Sequence, residues 1–119
     1  MTDAERDRLL ADALEYAGGT HTVADVLEAI ASGAYQEWRG DRSVVVTQVV
    51  ENPRVKEAHA FLCAGSLDEV KTMYPVILDW ARSIGCTRAT FTGRPGWGRT
   101  FLTRAEGWTS RLAQYEKEL

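Results

Sequence analysis

The residue types best suited to chemistry lie in a glycine-rich segment, Gly93-Arg-Pro-Gly-Trp-Gly-Arg99, which follows an alternating stretch at Thr87–Thr92. Glycine lets the backbone turn sharply, and Pro95 suits the first turn of a helix. Free N–H groups at a helix start, flanked by arginine, suit a phosphate or a carboxylate. An aromatic ring there can stack on another ring or on a guanidinium. We therefore predict an anion-binding or partner-binding site at the following residues: Arg94, Gly96, Trp97, Arg99 and Arg104.

A structural interpretation of the same segment stays open, namely a tight turn in which Trp97 fills the core. The segment matches neither a P-loop nor the Gly-x-Gly-x-x-Gly dinucleotide fingerprint in its strand-turn-helix context.

A carboxylate and an imidazole, Glu57 and His59, share one face of a predicted strand. A general base needs a suitable pKa and an amine or water within reach, which sequence does not show, so we predict no catalytic residue. Glu57 is interpreted as a solvated strand carboxylate and His21 as a helix-entry residue. His21 and His59 are the only histidines. With no cluster at ligand spacing, no metal site is predicted.

The sequence contains clear signals for where helices begin and end. Capping boxes are predicted at Thr2/Glu5, Thr22/Asp25 and Ser66/Glu69, and glycines end the helical stripes that follow. Pro75 lies inside the third stripe, so that helix either kinks there or begins near Thr72.

The strands are predicted from β-branched runs and alternation. Residues 44–50 are rich in valine, as in a strand covered on both faces, and a polar turn at 39–42 makes a hairpin into them. In the next strand, Val55–Ala64, one face is expected to present Ala58, Ala60, Leu62 and Ala64. A last strand is predicted over Trp108–Leu119. The order is α-α-β-β-β-α-β-α-β.

Composition predicts one domain spanning residues 1–119, because 45% of the residues are hydrophobic. No apolar run is long enough for a membrane helix, and the polar start does not resemble a signal peptide. We therefore expect a cytosolic protein in which Cys63 and Cys86 are reduced, buried thiols.

The net charge of −3 conceals a charge asymmetry. Residues 1–81 hold seven Lys/Arg and fourteen Asp/Glu (−7), whereas residues 82–119 hold seven and three (+4). Such polarity orients a protein on a partner or an anionic ligand, or lets acidic and basic faces complement each other within the fold or across copies. Overall acidity argues against nucleic-acid binding.

The element order resembles the Gcn-related N-acetyltransferase (GNAT) fold, and Arg104-Ala-Glu-Gly-Trp108 looks like the family's short helix ending in Gly-aromatic. Several short motifs resemble small GNAT-like proteins of tailed bacteriophages and prophages. They are His21-Thr-Val-Ala-Asp-Val, Gln36-Glu-Trp38, Ala64-Gly-Ser-Leu-Asp-Glu, Trp80-Ala-Arg-Ser-Ile-Gly-Cys86 and Gly93-Arg-Pro-Gly-Trp97. The resemblance implies an α/β (α+β) domain with a mixed, mostly antiparallel sheet of about five strands and helices on both faces.

The chain departs from the family where acetyl-CoA would be held. The family's diphosphate loop corresponds to Phe61–Val70, which offers one glycine, no preceding base, and two acids, Asp68 and Glu69. Thr103 stands where active members often have a tyrosine acid, and Gly96 where they often have asparagine. Two carboxylates at the helix N-terminus would satisfy it themselves and repel a diphosphate.

The resemblance and its departures together predict a non-catalytic GNAT-fold phage protein without a cofactor, a minor virion or assembly component. Its partners would be other virion proteins or further copies of itself, in the host cytoplasm or the assembled virion. The alternative is an acetyl-CoA-dependent N-acyltransferase with an atypical cofactor loop. In that case Glu57 or a water acts as base, and the turn from Arg94 to Arg99 replaces the diphosphate grip. A ligand-sensing module with an anion at that turn is a third possibility.

Overall fold

A computed structural model describes residues 1–94, 96 and 107–119. The elements are α1 (Asp3–Leu14), α2 (Val23–Ser32), β1 (Tyr35–Arg39), β2 (Ser43–Glu51), β3 (Lys56–Gly65), α3 (Leu67–Ser83) and β4 (Arg88–Phe91). The strands form one sheet in the order β1-β2-β3-β4. β1, β2 and β3 pair antiparallel, and β4 pairs parallel to β3. The predicted fold class is confirmed, and the described residues form four strands instead of about five.

The predicted last strand is not formed, since residues 107–119 are described but adopt no regular secondary structure. Leu112 and Tyr115 are 89% and 91% exposed, and neither face of residues 109–119 is buried. Alternation is not sufficient for a strand, because a strand also needs a hydrogen-bonded partner. The predicted short helix before it falls on residues outside the described ones.

The two N-terminal helices begin where their capping residues predict. The Thr2 side chain accepts from the Glu5 N–H at 3.1 Å, and Thr22 and Asp25 form a reciprocal capping box. Gly33 ends α2 with φ +85, a left-handed conformation that favours glycine.

α3 begins directly after its cap, Ser66, and continues through Pro75 to Ser83. The alternative start near Thr72 is therefore wrong. Pro75 is exposed within the helix.

The sheet is covered on both faces, as the valine-rich run predicts, and Ser43–Thr47 are all buried. α1 and α2 cover one face, where the buried cluster is Leu10, Leu14, Val26, Val44, Val46 and Leu62. α3 covers the other face through Val45, Val70 and Ile77, with Trp38 and Trp80 edge to face at 5.3 Å.

A β-bulge in β3 changes which side chains face which layer. Val46 pairs with Leu62 but Thr47 pairs with Ala60, so Phe61 is an extra residue in β3. One inserted residue shifts a period-two pattern by one step. Ala60 therefore packs on the α3 side, whereas Leu62 packs with α1 and α2. The predicted single face of Ala58, Ala60, Leu62 and Ala64 is wrong for this reason.

No helix in the described part of the chain is both long enough and apolar enough to cross a bilayer.

Candidate functional site

A cleft opens between β3 and β4 where their pairing stops. The parallel ladder joins Glu57–Ala60 to Arg88–Phe91, and the Thr92 N–H donates to the Ala60 carbonyl at 3.2 Å. β3 continues for five more residues to Gly65, while β4 ends at Phe91. The bulge at Phe61 follows the last pair directly. A cavity of about 1010 Å³ occupies this gap.

The cleft has an apolar wall on one side and a mixed wall on the other. The α3 wall is formed by Val70, Tyr74, Ile77 and Leu78, and the α1 wall by Leu9, Asp12, Ala13 and Tyr16. Trp108, Gln114 and Glu116 of the C-terminal segment also line the cavity, with Trp108 edge to face on Phe91 at 5.1 Å.

His59 lies in the cleft at the point where the two strands separate. Its Nδ1 is 2.7 Å from the Thr90 hydroxyl oxygen, and its Nε2 is 3.0 Å from that of Thr92. Burial lowers the pKa of His59 below its ordinary value of 6.5, and the nearby Glu57 carboxylate partly opposes this shift. His59 is therefore a neutral imidazole around neutral pH, held by two hydroxyl groups that each donate or accept.

Glu57, considered as a general base under the alternative function, does not line the cavity. It sits at the start of β3 opposite Arg88, and Asn52 Nδ2 donates to its Oε1 at 3.1 Å. The structure thus brings the other titratable group of this strand face, His59, into the cleft.

His21 does more than begin a helix. Its ring packs 4.8 Å from Phe61, its Nδ1 is 2.7 Å from the Thr20 hydroxyl, and its Nε2 is 3.4 Å from the Tyr35 hydroxyl. These contacts fix the loop between α1 and α2 against the bulge. No local sequence signal pairs His21 with Phe61, because the contact joins residues forty positions apart.

Both cysteines are free thiols, but only Cys86 is buried as predicted, whereas Cys63 is half-buried. Cys63 lines the cleft, and burial raises its pKa to about 11, so it is protonated and a poor nucleophile. Among the described residues, no group of three or more His, Cys, Asp or Glu side chains is placed to hold a metal ion.

The predicted anion or partner site is located in part. Arg94 is exposed at the cleft, with its guanidinium carbon 4.1 Å above the centre of the Tyr16 ring. Gly96 is exposed, and apart from its chain neighbours no atom of the described residues lies within 4 Å of where its Cβ would be. Trp97, Arg99 and Arg104 lie outside the described residues. No local sequence pattern pairs Tyr16 with Arg94, because the two residues are far apart in the chain.

The N-terminus of α3 differs from the predicted capping box. Ser66 accepts from the Glu69 N–H at 3.3 Å, but the Glu69 carboxylate accepts from the N–H groups of Asp41 and Arg42 at 3.0 and 2.9 Å and from the Ser43 hydroxyl. Glu69 therefore does not satisfy its own helix terminus, because the β1–β2 turn brings closer donors. The Ser43 hydroxyl and the Arg42 amide lower the pKa of Glu69.

The same turn uses one of the amides that precede α3. The Ser66 N–H donates to the Arg42 carbonyl at 3.2 Å. Of the first three amides of α3, those of Leu67 and Asp68 donate to no acceptor within the described part of the chain.

Solved structures with a similar fold include several that are named as acetyltransferases. The tetramutant of the BH1408 protein from Bacillus halodurans matches with TM-score 0.73 and 10% identity, over 98% of this chain and 93% of that one. The aminoglycoside N-acetyltransferase AAC(6′)-Iy in complex with CoA matches with TM-score 0.67 and 10% identity, over 98% and 88%. A GNAT family acetyltransferase from Staphylococcus aureus matches with TM-score 0.58 and 8% identity, over 100% and 95%.

No family model and no curated protein matches the sequence. At these identities the structural matches show the fold alone. This chain therefore has a GNAT-like fold, with its cleft between the third and fourth strands of the sheet.

Proposed function

We propose that the cleft binds the acyl-pantetheine arm of an acyl-CoA thioester and that the protein transfers the acyl group to an amine. The observation that carries this proposal is the cleft itself, which opens where β3 extends beyond the end of β4. The match to an acetyltransferase in complex with CoA supports the choice of ligand.

The edge of β3 suits an extended ligand with amide groups. Beyond Ala60, no described residue pairs with this strand on the side of β4. An extended chain with alternating amides can hydrogen-bond to such an edge as an added strand does. The pantetheine arm has two amide groups, and the apolar α3 wall would cover its methylene groups.

The diphosphate of CoA would contribute little to binding. The amides of Leu67 and Asp68 have no acceptor among the described residues, but the Asp68 side chain is exposed beside them, and its charge disfavours a second anion there. The turn from Arg94 to Arg99 is the other candidate for this role. We therefore propose that the pantetheine arm provides most of the affinity.

A second candidate is a non-catalytic protein that acts through protein contacts, as a minor virion or assembly component. It is favoured by the docking of the β1–β2 turn on α3, which uses the Ser66 amide that a diphosphate loop would offer. The partner would be another virion protein or a further copy of this chain, and the opposite charges of residues 1–81 and 82–119 suit such contacts.

Thermal-shift titrations with acetyl-CoA and with S-acetylpantetheine test the first proposal. A ligand that binds the native state raises the melting temperature by mass action. We expect both ligands to raise it, and to a similar extent. Ala60→Leu, which fills the cleft, should abolish both shifts, whereas Ala31→Leu on the exposed face of α2 should keep them.

If neither ligand shifts the melting temperature of the wild-type protein, the acyltransferase proposal is wrong. The second candidate is tested by mass spectrometry of purified phage particles, where it requires the protein in a fixed ratio to the other virion components. A protein found only in the lysate would contradict that role.

A further inference from the structure

The side chains in the cleft that can accept a proton differ in their burial, their hydrogen bonds and their protonation state. Those that line the described part of the cavity are Asp12, His21, His59, Cys63 and Glu116. The Cys63 thiol is protonated around neutral pH, and the His21 ring is packed against Phe61 and held by Thr20. Asp12 and Glu116 are exposed at the rim. His59 is the group that is half-buried, neutral and inside the cleft.

The two hydroxyl groups that hold His59 have different surroundings. Thr90 is half-buried beside Nδ1, whereas Thr92 is exposed beside Nε2, after the last residue of β4. A ligand entering the cleft therefore reaches the Thr92 side of the ring first. For the ring to accept a proton from that side, Nε2 must have the lone pair and Nδ1 must hold the hydrogen.

We infer that His59 accepts the proton of the incoming amine. Thr92 relays this proton to Nε2, and Thr90 accepts a hydrogen bond from Nδ1–H and so keeps the ring in the tautomer that leaves the lone pair on Nε2. This inference rests on the proposed acyl transfer and goes beyond it by assigning the base. It differs from the sequence alternative of Glu57, which lies outside the cavity and accepts a hydrogen bond from Asn52.

The transfer balances without a further reactant. The acceptor ammonium gives a proton to the Thr92 hydroxyl as that hydroxyl gives its own proton to Nε2 of His59. The free amine nitrogen then attacks the thioester carbonyl carbon, a C–N bond forms, and the C–S bond breaks. The thiolate takes a proton from the imidazolium, and the surplus proton of the amine goes to solvent.

The pH dependence of the transfer rate is set by the pKa of His59, which the surrounding charged and titratable groups influence. Charged or titratable side chains that neighbour His59 on its strands or line the same cavity come from β3, from β4 and the residues after it, from α1 and the loop after it, from α3 and from the C-terminal segment. They are Glu57, Cys63, Arg88, Arg94, Asp12, Tyr16, His21, Tyr74 and Glu116. Because burial keeps the imidazole neutral, the transfer rate should reach a plateau above the pKa of His59 and fall below it.

Nitrogen NMR of the folded protein tests the tautomer without any turnover. We expect His59 to hold its hydrogen on Nδ1, the less common tautomer in free imidazole side chains, and Thr90→Val to weaken that preference. A hydrogen on Nε2 would overturn the inference, since no lone pair would then face Thr92.

Kinetics test the proton transfer, with acetyl-CoA as donor and putrescine as the amine probe, chosen because Asp12 and Glu116 at the rim are acidic. Release of free thiol is followed against pH. His59→Gln should lower the rate by about 10²–10⁴-fold while acetyl-CoA binding stays near the wild-type value. Thr92→Val should slow the reaction and Thr92→Ser should restore it.

Glu57→Gln is the matched control, because it changes a carboxylate on the same strand face two residues away. It should leave the rate within a few-fold of wild type. A large loss in Glu57→Gln with none in His59→Gln would overturn the assignment, as would binding of acetyl-CoA by the wild type without thiol release. Failure of the wild type to bind acetyl-CoA would instead refute the proposed function, and the assignment of His59 with it.

Discussion

Thr47 is a polar side chain inside the sheet whose hydrogen bonds are complete. It is 1% exposed, its hydroxyl accepts from Trp38 Nε1 at 3.0 Å, and it donates to Gln36 Oε1 at 2.9 Å. Buried polar groups are tolerated when they are paired and costly when they lose a partner. This small network joins β1 to β2 beside the Trp38–Trp80 contact and so fixes one side of the α3 layer.

Thr47→Val should lower the free energy of unfolding by about 1–3 kcal/mol, because the Trp38 N–H and the Gln36 carbonyl lose their partner while the volume is kept. Chemical denaturation measures the change. Thr87→Val, at an exposed position between α3 and β4, is the control and should be nearly neutral. Equal effects of the two substitutions would argue against the network.

Glu69 makes stability depend on pH. Its pKa is lowered in the folded protein by the Ser43 hydroxyl and the Arg42 amide, so its contribution is present above its ordinary pKa of 4.5 and is lost as pH falls through the folded value. Glu69→Gln should therefore lower the melting temperature around neutral pH, and the difference from wild type should vanish in acid. Asp68→Asn, at the exposed neighbouring residue, is the control. A pH-independent difference would contradict this account.

At the scale of elements, the hairpin turn and the start of α3 meet at Gly65. Its φ of +107 is in the region that favours glycine, and a Cβ there would lie 2.7 Å from the Ser43 Cα and closer still to the Arg42 carbonyl oxygen. Both neighbours are backbone atoms, which cannot rotate away. The close approach lets the Ser66 amide reach the turn, and it sets where the end of β3 lies relative to the cleft.

Gly65→Ala should destabilise the protein by more than the roughly 1–2 kcal/mol that a left-handed backbone alone costs an alanine. Gly33→Ala separates the two effects, because Gly33 has φ +85 but no atom within 4 Å of its Cβ position. We expect Gly33→Ala to cost about 1 kcal/mol in thermal or denaturant unfolding. If the two variants unfold alike, the contact with the turn is unimportant.

At the scale of the whole molecule, charge is divided along the chain, with −7 in residues 1–81 and +4 in residues 82–119. Part of the acidic excess is paired internally, since Arg39 contacts Asp3 at 2.8 Å and Glu37 at 2.9 Å. Arg94 by contrast lies over the Tyr16 ring. Arg94 is thus an exposed cation of the basic part, as the proposed contact with an acidic partner or with another copy requires.

Sedimentation velocity tests contact between copies. If acidic and basic parts of two copies attract, the weight-average sedimentation coefficient should rise with protein concentration at low salt. It should fall to the monomer value at about 1 M salt, where the Debye length is roughly 3 Å. Charge reversal by Arg94→Glu should weaken association more than Arg54→Glu, an exposed arginine of the acidic part. A monomer at every salt concentration would exclude self-association as the partner contact.

The sequence by itself determined the element order as far as β4, the helix starts after Thr2, Thr22 and Ser66, and the burial of the valine-rich strand, because caps and apolar periodicity act between residues a few positions apart. The tertiary structure decided the bulge at Phe61, the target of the Glu69 carboxylate, and the placement of His59 between Thr90 and Thr92. These features depend on strand register and on contacts across about thirty residues of sequence, where local patterns have no influence. The cleft belongs to this second group, since it exists only because β4 stops pairing where β3 continues.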